Sequence, residues 1–557
     1  MVKPYMRSSI FPWLPFLIRP LIAIYTTTFF QPDEYFQSLE PAHRYVFGFG
    51  VLTWEWTSDS PIRSFTYPLI FVPVYQIIQY FRLEETGALI WLPKLVQSIF
   101  AALTDYYTYR LSKRLLGENA AFISLFLSLL SFFNVLALSR TLSNSMETSL
   151  TIMAIYFWDF DSGRDGDQGG FPGYVAAFVA AISFLIRPTS ALIWAALAIY
   201  QCAMLPAHIP RLATRALLAS CLAFPASLLV DKLFYRSFQL TVVNFIKVNF
   251  SSVALFYGKN PWHYYLTQGL PILCTTALPF SIHGMWITLH PAGSAPLALK
   301  CLAFVVIFNV AVYSLAGHKE WRFLHPLLPI FHVFAARSLE ASYHWRRTRS
   351  EARAKLPLFN LRIKTSHLWV ILFNLPVSFY VMRYHGRGQI AAMYYLRSLP
   401  RTELVSLGVL MPCHSVPWQS YLHRVELENG RAWSLSCEPP LLGQNLLTYR
   451  DETKHFYEDP AAHVEQYFSK AEVRTNHTGV DASWHHIWPS HLMLFKSLLT
   501  YRPAHIDSKD EYTTIEDILW AHGYRQVWES GWNGWEGDEM RRGAVGVWKS
   551  GNELGRI

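Results

Sequence analysis

The sequence predicts an α-helical polytopic membrane protein with a C-terminal α/β domain on the far side of the membrane. Three observations predict it. Hydrophobic residues make up 52% of the 557-residue chain and charged residues only 16%, against roughly 25% charged in soluble domains. Apolar runs long enough to be helical spans recur from residue 10 to residue 384. Beyond residue 386 the pattern changes to short strand-like and helical segments. Together they exclude a disordered chain and argue against a string of soluble domains.

The apolar runs lie at residues 10–30, 91–112, 119–138, 144–160, 172–187, 189–205, 212–233, 264–287, 298–316, 323–340 and 364–384, which gives about 11 transmembrane helices, several near the short limit for crossing. The first run lacks a small-residue cleavage site and reads as a signal anchor. The stretch 66–80 is apolar but short and is interrupted by Pro73. If it crossed, the cluster Arg110, Lys113 and Arg114 would fall on the far side, against the positive-inside bias. It therefore reads as a helix in the interface or within the bundle.

With a cytosolic N-terminus, alternation leaves the basic loop at 341–360 in the cytosol. The loop 31–65, the segment RTLSNSMET (140–148), Arg187, the loop 234–263, HKEWRF (318–323) and the tail from 386 face the far side. Two sequons, at Asn249 and Asn476, fall there. So do Cys413 and Cys437, where a disulfide is chemically permitted. The other four cysteines lie in or near apolar runs, as small buried thiols do. The net charge of +9 sits largely in juxtamembrane clusters, a topology signal, and no groove for nucleic acid is evident.

In the tail, LVSLGVL (404–410), YRQVWES (524–530) and GAVGVWKS (543–550) read as strands. PAAHVEQYFSK (460–470) and TTIEDILWAHG (513–523) read as helices between them. The expected division is a transmembrane domain at 1–385, whose first far-side loop is 31–90, and an α/β domain at 386–557.

Chemistry concentrates on the far side. In QPDEYFQSLEPAHRYVFGFGVLTWEW (31–56), Pro32 followed by Asp33 and Glu34 reads as a helix start. The acids either complement the helix dipole or present a carboxylate at the water–lipid boundary to a substrate that is part lipid and part sugar. In AGHKEWRFLHP (316–326), His318, Lys319, Glu320, Arg322 and His325 meet between two spans. They form either an interfacial anchor or a phosphate-binding corner. Arg187 joins the same class, and Arg19 with Asp105 is either a structural ion pair or functional. Gln37, Trp54, Trp262 and His263 are candidates for sugar contact. GxSxG, HExxH, Walker A and CxxC motifs are absent from the sequence. The adjacent His485 and His486 are a weak metal hint.

These segments, with PWHYYLTQGLP (261–271) and HKEWRFLHPLLP (318–329), resemble the glycosyltransferase family 22 membrane mannosyltransferases. LMPCHSVPWQSYLH (410–423) and WSLSCEPP (433–440) resemble its glycosylphosphatidylinositol (GPI) anchor branch. Gln31 stands where the family commonly has His. The resemblance implies a GT-C type fold in the endoplasmic reticulum membrane. It implies dolichyl-phosphate mannose as donor, with no cofactor or metal required. The implied acceptor is a two-mannose GPI precursor, which gains a third mannose in α-1,2 linkage with inversion. On that scheme Asp33 is the base and Glu34 its understudy, while Arg187, His318, Lys319 and Arg322 hold the donor phosphate. The alternatives are a sister enzyme of N-glycan precursor assembly and, in another class, a lipid or solute transporter.

Overall fold

The computed structural model describes residues 10–160, 170–291, 295–347, 363–441, 444–445, 448–469, 484–503 and 512–551. Asn476 and most of the basic loop at 341–360 lie outside them. The chain divides into two compact units. The first comprises Met1–Tyr25, Glu55–Val74 and Trp91–Phe379; the second comprises Thr26–Trp54, Tyr75–Ile90 and Tyr380–Ile557. This differs from a single cut at 385. Most of the first far-side loop clusters with the C-terminal unit, where its buried Glu40 and His43 hydrogen-bond to Trp418, Ser420 and His423.

The first unit is helical. Among the described residues, five stretches are long and apolar enough to cross a membrane: Ala88–Leu116, Pro206–Tyr235, Tyr265–Leu289, Leu297–Leu315 and Thr365–Ser398. Other expected spans are shorter helices, including Phe171–Ile186 and Pro188–Met204. The expected span 119–138 is helical over Glu118–Leu130, breaks where Ser131 turns extended, and resumes as a π-helix over Asn134–Leu138. The stretch 66–80 forms a short 3₁₀ turn and the helix Val72–Tyr80. Nine residues rise only about 13 Å, far short of a bilayer core of roughly 30 Å.

Buried polar groups lock this unit. Arg19 and Asp105 are fully buried and paired at 2.6 Å. Ser128 donates to the same carboxylate at 2.6 Å, and Arg19 donates to the carbonyls of Ser128 and Asn134. Each charge is therefore both paired and hydrogen-bonded, which burial of charge demands. The helices Leu278–Leu289 and Leu328–Arg347 approach backbone to backbone. A Cβ on Gly284 would lie 1.9 Å from the Phe334 carbonyl oxygen, so only glycine fits this crossing.

The second unit contains a five-stranded sheet. Its strands are β1 (Leu407–Leu410), β2 (Ala432–Ser434), β5 (His491–Phe495), β6 (Tyr524–Glu529) and β7 (Val545–Ser550), while β3 (Phe468–Ser469) and β4 (His486–Ile487) form a separate pair. The order is β2-β1-β5-β7-β6, with β1 parallel to β2 and β5, and β7 antiparallel to β5 and β6. Helices Glu452–Glu458, Pro460–Tyr467 and Ile515–Ala521 belong to the same unit. Phe456, Ile515 and Leu519 pack with Leu410, Leu494 and Trp548 in one core. Central strand β5 is missing from the sequence-based reading. All five of its residues are buried, so it shows no alternation, and a short unbroken apolar run cannot be told from a helix by periodicity.

Candidate active site

The acidic segment lies in the second unit. Asp33 and Glu34 open a helical turn that widens into a π-helix over Tyr35–Leu39 and continues as an α-helix over Glu40–Phe47. π-bulges of this kind recur at functional sites. Asp33 is half-buried, whereas Glu34 and Gln37 are buried. Trp54 is half-buried at the start of a four-residue helix.

Residues 411–428 hold this segment. The Glu40 carboxylate is fully buried, and its Oε1 accepts from the Trp418 N–H (2.9 Å), the Ser420 N–H (3.0 Å) and the Ser420 hydroxyl (2.6 Å). Burial pushes its pKa up to about 7 against the opposing pull of those donors. His43 Nε2 and His423 Nδ1 lie 2.8 Å apart. Burial lowers both, His423 to about 4, so the pair shares a hydrogen bond between neutral rings. The Gly50 N–H donates to Glu428 at 3.1 Å. His414, at a positive φ of 54°, lies with its ring centroid 4.6 Å from that of Phe36. Burial lowers its pKa to about 4, with the Asp33 charge pulling the other way, which puts His414 within electrostatic reach of Asp33.

Cys413 and Cys437 form a disulfide on either side of this histidine's environment. Their sulfurs and a His414 ring nitrogen lie within 4.8 Å of one another, the one such metal-like grouping among the described residues. The sulfurs are bonded to each other, so no thiolate is free to bind a metal.

The cationic corner lies in the first unit. Four segments converge there. Arg187 pairs with Glu147 of RTLSNSMET at 3.0 Å and donates to Ser143 at 2.9 Å. Asn144 donates to the Arg322 carbonyl at 3.4 Å. Asn260 and Lys319 exchange side chain-to-carbonyl hydrogen bonds of 2.8 Å, tying the Trp262–His263 loop to HKEWRF. Glu320 sits among the cations: Arg322 donates to both of its oxygens, at 2.5 and 3.0 Å, and His318 Nε2 lies 3.2 Å away. The other nitrogen of His318 faces the Gly258 carbonyl at 3.1 Å. With acceptors on both sides, the ring is built to carry two protons. Burial works against that charge, but Glu320 outweighs it and raises the pKa. The same neighbours hold Glu320 well below the usual carboxylate range despite its burial.

The structure thus gathers Arg187, His318, Lys319 and Arg322 into one corner. It places Asp33, Glu34 and Gln37 on one helical segment. Trp262 and His263 are exposed, and Asn249 is exposed at the end of helix Thr241–Asn249. Glu40, His414 and Glu147 were not singled out from sequence. Glu40 and His414 pair with residues more than 370 positions away, beyond the reach of local pattern.

Comparison with known proteins adds to this geometry. Residues 11–423 match the family model of the Alg9-like mannosyltransferase family. The chain is 38% identical over 490 residues to GPI mannosyltransferase 3 of Yarrowia lipolytica, covering 87% of this chain and 88% of the relative. It is 33% identical over 465 residues to GPI alpha-1,2-mannosyltransferase 3 of Mus musculus, covering 82% and 79% respectively. Among solved structures, ArnT from Cupriavidus metallidurans bound to undecaprenyl phosphate matches with a TM-score of 0.55. That match has 11% identity and covers 80% of this chain and 88% of that one. It shows a shared fold, that of the GT-C enzymes.

Proposed function

The chain belongs to the Alg9-like mannosyltransferase family, and from that premise we propose that it moves mannose from dolichyl-phosphate mannose to a two-mannose GPI precursor. It is a membrane-embedded mannosyltransferase of GPI-anchor biosynthesis. The reading extends to the third mannose, added in α-1,2 linkage on the lumenal side of the endoplasmic reticulum membrane. One observation carries the choice of branch. The likeness to GPI mannosyltransferase 3 spans 87% of the chain, more than residues 11–423 contain, so it extends into the α/β unit. That likeness in the tail is what favours the GPI branch over an N-glycan sister enzyme.

The transfer inverts, because the donor mannose is β-linked and the product α-linked. The acceptor hydroxyl oxygen bonds to the mannose anomeric carbon as the bond to phosphate oxygen breaks. Asp33 takes the hydroxyl proton. Glu34, buried one residue on, orients the turn. Dolichyl phosphate leaves as an anion, and phosphate needs no protonated acid to depart. It needs cations for the developing charge, a role assigned to Arg187, His318, Lys319 and Arg322. Gln37, Trp54, Trp262 and His263 are assigned to sugar contact, and Asn249 and Asn476 to glycosylation.

The test uses solubilised full-length protein, dolichyl-phosphate mannose and a two-mannose GPI acceptor, read by mass and linkage. One α-1,2 mannose added by wild type and lost in Asp33→Asn, with folding intact, supports function and base. Transfer that persists in Asp33→Asn moves the base to Glu34. Activity on an N-glycan precursor alone replaces the acceptor with that of the sister enzyme.

A further inference from the structure

The loop Gly531–Glu536 of the second unit, sequence GWNGWE, turns two large aromatic rings outward. Trp532 is 53% exposed and Trp535 76%. The surrounding backbone is firmly held. The Gly386 N–H donates to the Asn533 carbonyl at 3.1 Å, the Gly388 N–H to Asn533 Oδ1 at 2.5 Å, and the Trp535 N–H to the Tyr380 hydroxyl at 2.6 Å. Gly534 has φ +91°, and a Cβ there would lie 2.8 Å from both His385 Cα and Tyr380 Oη. Asn533 is buried. The loop is thus built to point its tryptophans away from its own core.

The neighbours of these rings identify what they meet. Tyr380 lies 5.1 Å from Trp535 and Tyr384 5.6 Å from Trp532, centroid to centroid. Tyr380 occupies the last turn of helix Asn374–Arg383, and Tyr384 follows it. That helix belongs to the stretch Thr365–Ser398, which is apolar and long enough to cross a membrane. Its Leu375, Val377 and Phe379 are also exposed, as lipid-facing residues are. Tyr380 and Tyr384 thus carry the cluster at the end of a helix within a stretch apolar enough to cross a membrane. Trp and Tyr prefer the headgroup level, where an apolar ring and a polar edge are both accommodated. An aromatic cage for a cation needs a gap between rings. Here Trp532 and Trp535 meet edge to face at 5.5 Å and fill that gap themselves.

We infer that Trp532 and Trp535, backed by Tyr380 and Tyr384, form a membrane-interface anchor of the α/β unit, whose partner is the headgroup region of a phospholipid bilayer. The inference is independent of the assignment of Asp33.

The test uses the full chain in phosphatidylcholine/phosphatidylserine nanodiscs, with Cys202, Cys221, Cys274 and Cys301 replaced by Ala. Trp532→Cys and Trp535→Cys are each labelled with bimane. The expected result is blue-shifted emission at both positions. Quenching should be severalfold stronger by a lipid nitroxide at headgroup depth than by one at the bilayer centre or by aqueous iodide. A label at Asn429→Cys, on an exposed turn, serves as the reference. Iodide quenching without lipid quenching at 532 and 535 overturns the inference. So does shielding that arises only on addition of a mannosylated glycan, which would make the cluster a carbohydrate site. A Trp532→Phe/Trp535→Phe variant checks the point without a label. Its tryptophan emission should lose a component that brominated lipid quenches in wild type, and no change from wild type overturns the anchor.

Discussion

The acidic segment and the cationic corner are held in place by different physics. In the corner, charge answers charge: Glu320 is shared by His318 and Arg322, and Arg187 is met by Glu147. Around Asp33 the strongest restraint is a buried carboxylate with no cation on it, Glu40, gripped by two N–H groups and a hydroxyl. Its neighbours are neutral histidines and aromatic rings. The corner is therefore sensitive to a change of charge at constant shape. The acidic segment is sensitive to loss of directional hydrogen bonds. The same conservative substitution, Glu to Gln, should be tolerated in one region and felt in the other.

The largest effects should come from the reacting groups themselves. Asp33→Asn removes the proton acceptor and should lower kcat by roughly 10³-fold, within the range for general-base removal. Arg322→Ala should lower it by about 10²-fold, a typical loss for one electrostatic donor. Each is measured as initial rate at saturating donor, with thermal unfolding as the check on folding. A smaller loss for Asp33→Asn than for Arg322→Ala would reverse the roles given to the two regions.

Glu40 comes next. Glu40→Ala strands three buried donors, and each orphaned group costs about 1–3 kcal/mol. Glu40→Gln keeps an acceptor oxygen in the same place and should stay near wild type. The pH dependence sharpens the distinction. The folded pKa of Glu40, about 7, lies above the ordinary carboxyl value of about 4.5. Its stabilisation is therefore fully present below about 4.5 and is lost as pH rises through about 7. The full shift corresponds to roughly 3 kcal/mol. Melting temperature across that window should fall with rising pH in wild type and flatten in Glu40→Gln. An equal slope in both would show that Glu40 is not the titrating group.

Much of this is legible in the sequence, and what is not has a common cause. Apolar runs gave the helices of the first unit to within a few residues, because a membrane helix satisfies its hydrogen bonds within one segment. Short motifs located His318, Lys319 and Arg322 because they are local in sequence. The grouping of residues 31–54 and 75–90 with the tail, and of 55–74 with the helices, is not visible in local pattern. It turns on Glu40 meeting Ser420 and His43 meeting His423, contacts between residues 380 positions apart. Strand β5 was lost for a related reason, since its identity comes from its parallel neighbour β1 and antiparallel neighbour β7 and not from its own pattern. Pro32, Asp33 and Glu34 were recognisable as a helix start, but the π-helix that follows was not, because no residue in Tyr35–Leu39 demands it.

The smallest predicted effect is the most discriminating for the corner. In Glu320→Gln the shape is kept and the charge removed. His318 then keeps the two influences that lower its pKa, burial and the Arg322 charge, and loses the carboxylate that raises it. Its pKa should drop below the ordinary 6.5, leaving the ring neutral near pH 7. In wild type the His318 contribution is fully present below about 6.5 and is lost as pH rises through its raised folded value. In the variant that contribution is absent, because a folded pKa below the ordinary one makes protonation of the ring cost stability. The alkaline limb of kcat/KM for the lipid donor should therefore move toward acid, and melting temperature below about pH 6.5 should fall because the carboxylate that stabilised the charged ring is gone. Glu40→Gln should leave that limb in place. An unmoved limb in Glu320→Gln would mean that the corner uses Arg322 and Arg187 for the phosphate and that His318 only braces Glu320.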